Sequence, residues 1–123
     1  MRILVAGSRD FTDWQLLEMI LDDLMPFPRM GDTVVQGFAR GADRMAYEWA
    51  EAKDVSTESH IPKWREHGKA AGFIRNKGMV DKGADLCLIF YGPHGETKGT
   101  KSTEDLARKA GIPVRVYFQE ERS

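Results

Sequence analysis

The sequence is poor in cysteine, in long apolar runs and in excess charge of either sign. Its single cysteine, Cys87, cannot form an internal disulfide, so we expect a reducing compartment such as the cytoplasm. No apolar run approaches the roughly 20 residues that a membrane-spanning helix requires, and we expect no membrane partner. Eighteen basic and nineteen acidic residues give a formal net charge of −1. This balance excludes the bulk electrostatic attraction of a protein that coats DNA.

The composition is typical of one folded domain. The chain has 123 residues, of which 41% are hydrophobic and 30% are charged. A chain of this size can bury about two thirds of its surface around one core. Met1 and Arg2 lead directly into a strand-like run, so we expect no cleaved leader segment. We predict a single domain over residues 1–118 and a short frayed tail at 119–123.

Runs of Val, Ile and Leu bounded by glycine alternate with amphipathic segments along the chain. Buried parallel strands joined by covering helices produce this alternation. The pattern predicts five strands, at residues 2–6, 33–36, 55–61, 84–90 and 113–118. It predicts four helices, at residues 13–25, 42–53, 69–82 and 102–110. The expected fold class is α/β: a three-layer Rossmann-like sandwich of about five mostly parallel strands, with helices on both faces.

Local signals refine the ends and the places of these elements. Thr12 followed by Gln15 predicts the start of the first helix, and Ser102 followed by Asp105 predicts the start of the last. The third strand is polar, which favours a place at a sheet edge. The most apolar run of the chain lies in the fourth strand, which predicts a place in the sheet interior.

Three loops between strands and helices combine glycine with hydroxyl or basic residues. Ligands of open α/β sheets bind beyond the carboxyl ends of the strands, so the loops after the first, second and fourth strands are the candidates. Glycine lets backbone N–H groups approach an anion, and a helix N-terminus favours its negative charge. The candidate phosphate-binding residues are Gly7, Ser8 and Arg9, then Gly37, Arg40, Gly41 and Asp43, then Gly99, Thr100 and Lys101.

Each of these loops alone also fits a tight turn with solvated basic side chains. The meeting of three such loops at one sheet end favours the binding interpretation. The sequence has neither a Walker loop nor the dinucleotide fingerprint, which argues against an ordinary kinase or NAD-dependent dehydrogenase. For Asp43 we expect a role in orienting Arg40 or in binding a ribose hydroxyl rather than a role as a base.

Trp64, Arg75 and Asn76 form a fourth candidate group. Residues 62–68 are expected to form a polar loop, in which Trp64 can stack on a base or cover the sheet edge. Arg75 and Asn76 lie about two turns into the third predicted helix, where at least one can reach over the site. A solvated helix face is the alternative interpretation of this pair.

These motifs together resemble the YspA-like branch of the SLOG superfamily, which also contains the DprA/Smf DNA-processing proteins and the LOG phosphoribohydrolases. The resemblance covers about residues 1–117. It implies a Rossmann-like domain that binds a nucleotide or nucleotide-derived ligand and forms a homodimer or higher oligomer. The residues that carry it are Gly7-Ser8-Arg9, Gly37-x-Ala39-Arg40-Gly41-Ala42-Asp43, Trp64 with His67-Gly68, Arg75-Asn76 with Met79, and Gly99-Thr100.

The resemblance leaves open whether the protein is an enzyme. The hydrolase subfamily carries a Pro-Gly-Gly-x-Gly-Thr-x-x-Glu motif, whose glutamate assists cleavage of the bond between base and ribose. Here Gly99-Thr100 matches the Gly-Thr pair, but Thr103 stands at the glutamate position and the Pro-Gly-Gly is missing. Glu104, one residue further on, is the candidate catalytic residue for hydrolysis of a nucleotide N-glycosidic bond. Its alternative role is to stabilise the helix N-terminus.

Single-stranded DNA binding of the DprA type is the alternative function from another class. It is motivated by the shared fold and by the basic residues Arg9, Arg40, Arg75 and Lys101. The balanced charge and the short chain argue against a long DNA groove.

Metal ions and cofactors are not expected. The histidines His60, His67 and His94 are scattered and show no ligand spacing for a metal. Assembly is expected because apolar residues in predicted loops, among them Phe11, Phe27, Met30 and Phe38, would gain by being covered in a homodimer.

Overall fold

The computed structural model describes residues 1–120, which contain five strands and five α-helices. The strands are β1 (Arg2–Gly7), β2 (Thr33–Gln36), β3 (Ser56–Ser59), β4 (Leu86–Tyr91) and β5 (Val114–Phe118). The helices are α1 (Trp14–Leu24), α2 (Ala42–Ala52), α3 (Trp64–His67), α4 (Ala71–Asp81) and α5 (Lys98–Lys109), with a 3₁₀ turn at Gly68–Ala70.

The five strands form one parallel sheet in the order β3-β2-β1-β4-β5. The chain runs outward from β1 to β2 and β3, then returns to the other side of β1 for β4 and β5. In register, Ile3 of β1 lies opposite Val34 of β2 and Leu86 of β4. This reversal of strand order leaves a crevice at the carboxyl ends of β1 and β4, the place where open α/β sheets bind ligands.

Helices cover both faces of the sheet and bury a core on each side. On one face α1 and α2 contribute Leu17 and Trp49 to a core that includes Phe90 of β4. On the other face α4 and α5 contribute Met79 and Ala107. Every residue of β4 is buried, whereas β3 is half exposed and lies at the edge. The predicted three-layer α/β fold and the predicted places of these two strands are confirmed.

Two helices begin at residues other than those expected from the sequence. The N-cap of α1 is Asp13, whose carboxylate accepts a hydrogen bond of 3.2 Å from the N–H of Leu16, so the predicted cap at Thr12 is wrong. Helix α5 begins at Lys98, before the predicted start at Ser102. Its N-cap is Thr97, whose side chain makes no hydrogen bond to the first turn.

The region between β3 and β4 also differs from the expectation. Trp64–His67 forms a short helix instead of a loop. Helix α4 buries Asn76 and Met79, while Ile74 is 43% exposed. The buried face of α4 includes the polar residue Asn76, so the spacing of hydrophobic residues alone does not identify this face.

Gln119, near the end of the described chain, is fixed by hydrogen bonds to two other segments. Its N–H donates to the carbonyl oxygen of Tyr91 at 2.8 Å, and its side chain exchanges two hydrogen bonds of 2.8 and 2.9 Å with Thr12. The predicted fraying is wrong for this residue, and residues 121–123 lie outside the described residues. Among residues 1–120, no helix is both long and apolar enough to cross a membrane.

The apolar residues expected on the surface divide into two pairs. Phe27 and Met30 are exposed, at 84% and 104% of their reference surface. Phe11 is fully buried and its ring packs against Phe90 at a centroid distance of 5.2 Å, so that expectation is wrong. Phe38 is half-buried beneath Arg44. The homodimer stays a prediction.

Candidate functional site

A cleft of about 680 Å³ opens at the carboxyl end of the sheet. The end of β1, the start of α2, the α3–α4 region and the first turns of α5 all contribute to its wall. The candidate residues that line it are Gly7, Ser8, Arg9, Arg40, Asp43, Trp64, Arg75, Asn76, Gly99 and Thr100. The structure therefore brings the three candidate loops and the fourth candidate group to one place.

Gly37 and Gly41 lie behind the cleft and allow its walls to approach one another. A Cβ atom at Gly37 would overlap the guanidinium of Arg75. Gly41 has a φ of 95° and lies against the backbone oxygen of Ser8, so a side chain there would be both strained and obstructed. These two glycines shape the site without contributing to its surface.

Asp43 is buried and joins the ends of two strands. Its carboxylate accepts hydrogen bonds from the N–H groups of Gly7 at 3.1 Å and Gly37 at 3.0 Å. Burial raises the pKa of Asp43 to about 6, although the positive charge of Arg75 and these N–H groups oppose the shift. Asp43 makes no hydrogen bond with Arg40 in the described chain, so the expectation that it orients Arg40 is wrong.

Arg75 is half-buried and holds three segments together. Its Nη1 donates to the carbonyl oxygens of Gly37 at 2.9 Å and His60 at 3.3 Å, and its Nε donates to Oδ1 of Asn76 at 2.7 Å. Its Nη2 donates to no residue in the part of the chain that the structure describes. Burial lowers the pKa of Arg75, Asp43 opposes this, and the positive charge of Arg9 adds to the lowering.

Two further buried side chains connect the loops. Nδ2 of Asn76 donates to the carbonyl oxygen of Gly99 at 3.3 Å, which ties α4 to the first turn of α5. Oγ of Ser8 accepts from the N–H of Gly92 at 2.7 Å. We refer to Ser8, Asp43, Arg75 and Asn76 as the floor of the cleft, because their hydrogen bonds join the segments that surround it.

Four cationic side chains surround the opening of the cleft. Arg9, Arg40, Lys69 and Lys98 are exposed, and we refer to them as the rim. None of them forms an ion pair with a residue between 1 and 120. Asp10 also lines the cleft, but its Oδ2 lies 2.7 Å from Nδ1 of His94. Within residues 1–120, the four rim cations therefore have no carboxylate paired with them.

The two helix N-termini at the cleft differ in how far they are neutralised. Helix α2 has Asp43 in its first turn, so a carboxylate already lies at its positive end. Helix α5 has no acidic residue in its first turn and no side-chain cap. Thr100 in that turn is 7% exposed, lines the cleft and makes no side-chain hydrogen bond with any described residue. The N-terminus of α5 can therefore accept an anion.

Comparison with known proteins identifies the family of this domain. The family model described as "YspA, cpYpsA-related SLOG family" matches residues 1–67, more than half of the chain. The chain belongs to this family. "Gene 61 protein" of Mycobacterium phage D29 is 43% identical over 118 residues, which cover 92% of this chain and 93% of that protein. No solved structure matches the chain. The resemblance to the YspA-like SLOG branch is confirmed.

Besides Gly37 and Gly41, two further candidate residues of this SLOG domain lie outside the cleft. Glu104 is buried and accepts hydrogen bonds from the hydroxyl of Tyr91 at 2.7 Å and from Nε of Arg108 at 3.2 Å. Burial acts to raise the pKa of Glu104, but these hydrogen bonds outweigh it and the pKa is lowered. Lys101 lies 3.4 Å from the carboxylates of both Glu96 and Glu104. Both side chains are engaged away from the cleft.

Several residues that line the SLOG cleft carried no clear signal in the sequence. Phe73 was overlooked because an aromatic residue on a helix is usually part of the core, yet it is 54% exposed. Lys98 was overlooked because the start of α5 was placed at Ser102. Thr103 lines the cleft at the position where the hydrolase motif has its glutamate. Within residues 1–120, no three His, Cys, Asp or Glu side chains are grouped so as to hold a metal ion.

Proposed function

We propose that the cleft binds a nucleotide or nucleotide-derived ligand. The carrying observation is the rim, whose four cations form no ion pair with any described residue and line the cleft together with Arg75. Positive charges gathered in a concave site attract anions and strengthen their binding. Membership of the SLOG family supports a nucleotide-related ligand over a simple inorganic anion.

The phosphate of this ligand binds at the N-terminus of α5. The backbone N–H groups of Lys98 and Gly99 are in the first helical turn, where they have no intrahelical acceptor. The hydroxyl of Thr100 adds a buried donor, and Lys98 adds a charge. The corresponding end of α2 is a weaker candidate, because Asp43 would repel an anion placed there.

The base of the ligand stacks on the aromatic wall of the cleft. Trp64 and Phe73 are 55% and 54% exposed, and both line the cleft beside the cationic rim. An exposed indole or phenyl ring is a favourable surface for a planar base, with a gain of about 1–3 kcal/mol for each stacked base. The ligand therefore spans from an aromatic side of the cleft to a cationic one.

Hydrolysis of the ligand by Glu104 has no support in this geometry. Its carboxylate is saturated by Tyr91 and by Arg108 and does not line the cleft. A catalytic acid or base must lie within hydrogen-bonding distance of the reacting atom or reach it through one water molecule. We therefore propose binding rather than N-glycosidic cleavage as the function of this site.

Thermal unfolding in the presence of nucleoside monophosphates, ADP, NAD and ADP-ribose tests the proposal. A ligand at 100 times its Kd stabilises a protein by about 2.7 kcal/mol, which is readily measured. We expect stabilisation by at least one of these nucleotides, reduced in Arg40→Ala and Gly99→Val. Arg115→Ala is the matched control, because Arg115 is exposed on β5 away from the cleft. Chromatography of the same mixtures should show no released base.

Two results would contradict the proposal. The first is the absence of any nucleotide-dependent stabilisation. The second is tight binding of single-stranded DNA that weakens steeply with salt while free nucleotides have no effect, which would favour the DNA-binding alternative.

A further inference from the structure

We propose that the ligand is a dinucleotide, whose second nucleoside occupies a groove that continues from the cleft along α5. This inference rests on the proposed nucleotide binding in the cleft and extends it. It starts from a second cavity of about 400 Å³. Phe73, Lys98 and Ser102 line both this cavity and the cleft, so the two spaces meet at these residues.

The second cavity follows one face of α5. Ser102, Asp105, Leu106 and Lys109 line it at the spacing of three and four residues that places side chains on one side of a helix. From Lys98 to Lys109 this face is about 16 Å long. A groove of this length beside a cleft of about 680 Å³ offers more room than one nucleotide needs.

The chemistry of the groove suits a nucleoside rather than an apolar group. In a dinucleotide the first base stacks on Trp64, which leaves the half-exposed ring of Phe73, at the junction of the two spaces, for the second base; Leu106 extends the apolar surface. Ser102 offers a hydroxyl for a sugar or a base edge. Lys101 is paired with Glu96, Glu104 and Asp105, but Lys98 and Lys109 form no ion pair with a described residue, and their two charges favour an anionic ligand.

Lys98 fixes where the two nucleosides are joined. It lies at the N-terminus of α5, lines both spaces and forms no ion pair with a described residue. The phosphates that link the two nucleosides bind there, which leaves one base for the Trp64 side of the cleft and the other for the groove. A free dinucleotide is favoured over a long strand, because the whole chain has a net charge of −1.

Calorimetric titration of the full chain with ADP and with diadenosine diphosphate tests the inference. The two probes share a diphosphate, and the second carries an added nucleoside but less negative charge. We expect diadenosine diphosphate to bind at least about tenfold more tightly, a difference of about 1.4 kcal/mol that charge alone cannot produce.

A groove-filling variant locates the second nucleoside. Asp105 is exposed on the groove face, so Asp105→Trp should fill the groove without disturbing the core. We expect this variant to bind diadenosine diphosphate no more tightly than ADP, with ADP affinity unchanged. Glu51→Trp is the matched control, since Glu51 is exposed on α2, which covers the other face of the sheet. It should retain the full advantage of the dinucleotide.

The possible outcomes separate this inference from the function on which it rests. Equal affinities for ADP and diadenosine diphosphate, or an advantage that survives in Asp105→Trp, would overturn the dinucleotide and leave the cleft proposal in place. Failure of every nucleotide to bind would overturn both. Tighter binding of a long oligodeoxyadenylate, with steep salt dependence, would overturn the free dinucleotide in favour of a strand.

Discussion

The floor and the rim of the cleft are both polar, but they use their polar groups in opposite ways. Asp43, Arg75 and Asn76 of the floor make hydrogen bonds to the backbone of neighbouring segments. The rim residues Arg9 and Arg40 are exposed and make no ion pair with the described chain. Arginines of one cleft therefore serve two purposes: Arg75 of the floor holds the loops together, whereas Arg9 and Arg40 of the rim remain available to a ligand.

This difference predicts which property each substitution should change. A buried polar group that loses its partner costs the full desolvation of that partner, so changes in the floor should lower stability. An exposed charge without a partner contributes little to folding, so changes in the rim should alter binding alone. Measurements of stability and affinity on the same variants test whether the floor and the rim differ in this way.

The largest effect is expected for Asp43→Ala. The substitution leaves the N–H groups of Gly7 and Gly37 without their acceptor and removes the negative charge beside Arg75. We expect the free energy of unfolding at pH 7 to fall by about 2–4 kcal/mol in urea titrations. Asp81→Ala, at an exposed site on α4, should change it by less than about 0.5 kcal/mol. Similar effects of the two substitutions would contradict the role of the floor.

The second effect is the pH dependence that Asp43 gives to stability. Its pKa in the folded protein is about 6, above the ordinary value of 3.8, so the folded state binds the proton more tightly. Stability from this group therefore falls as pH rises from about 4 to 6 and is constant above, by up to about 3 kcal/mol. Urea titrations at several pH values should show that Asp43→Asn lacks this slope. Parallel pH profiles of the two proteins would contradict it.

A smaller loss is expected for Gly37→Ala. The added methyl group would overlap the guanidinium of Arg75, and such crowding costs about 1–3 kcal/mol. Gly78→Ala is the matched control, because no atom lies near the position of its added Cβ. Gly78 is inside α4, so its replacement should raise stability by about 0.5–1 kcal/mol. Thermal unfolding of both variants should therefore shift in opposite directions, and shifts of the same sign would refute this.

The smallest change in stability is expected for the double variant of Arg9→Ala and Arg40→Ala. We expect its free energy of unfolding to remain within about 0.5 kcal/mol of the parent. Its affinity for ADP should fall at least about tenfold, because two exposed charges that can contact phosphate are lost. Urea titration and calorimetry on one preparation measure both. A large loss of stability would contradict this, because it would show that Arg9 and Arg40 hold the structure together as the floor residues do.

The sheet was predictable from the sequence because its strands are apolar runs with clear ends. The run Leu86–Phe90 has no helical periodicity that could compete, and the polar β3 could only be placed at an edge. The start of α5 was misplaced because Gly99, a poor helix former, lies in its first turn, so the sequence favoured a later start. The burial of Asn76 on α4 could not be decided from the sequence, because its partner Gly99 is distant along the chain.

The sequence predicted which loops form the site, but it did not predict which contacts the individual residues make. Nothing in the sequence indicates that Arg75 donates to the carbonyl oxygens of Gly37 and His60, since these contacts depend on how the strands are ordered. The same limit applies to Glu104. One residue turns a helix by about 100°, and this is enough for Thr103 to line the cleft while Glu104 bonds to Tyr91.

The anchoring of Arg75 to two carbonyl oxygens has a consequence for the rate at which a ligand binds. Its guanidinium is already held in place by Gly37 and His60, so it does not have to reorient when an anion enters the cleft. We expect association to be a single fast step that slows with added salt, as for other electrostatically guided encounters. Differences in affinity among related nucleotides should then arise in how long each one remains bound.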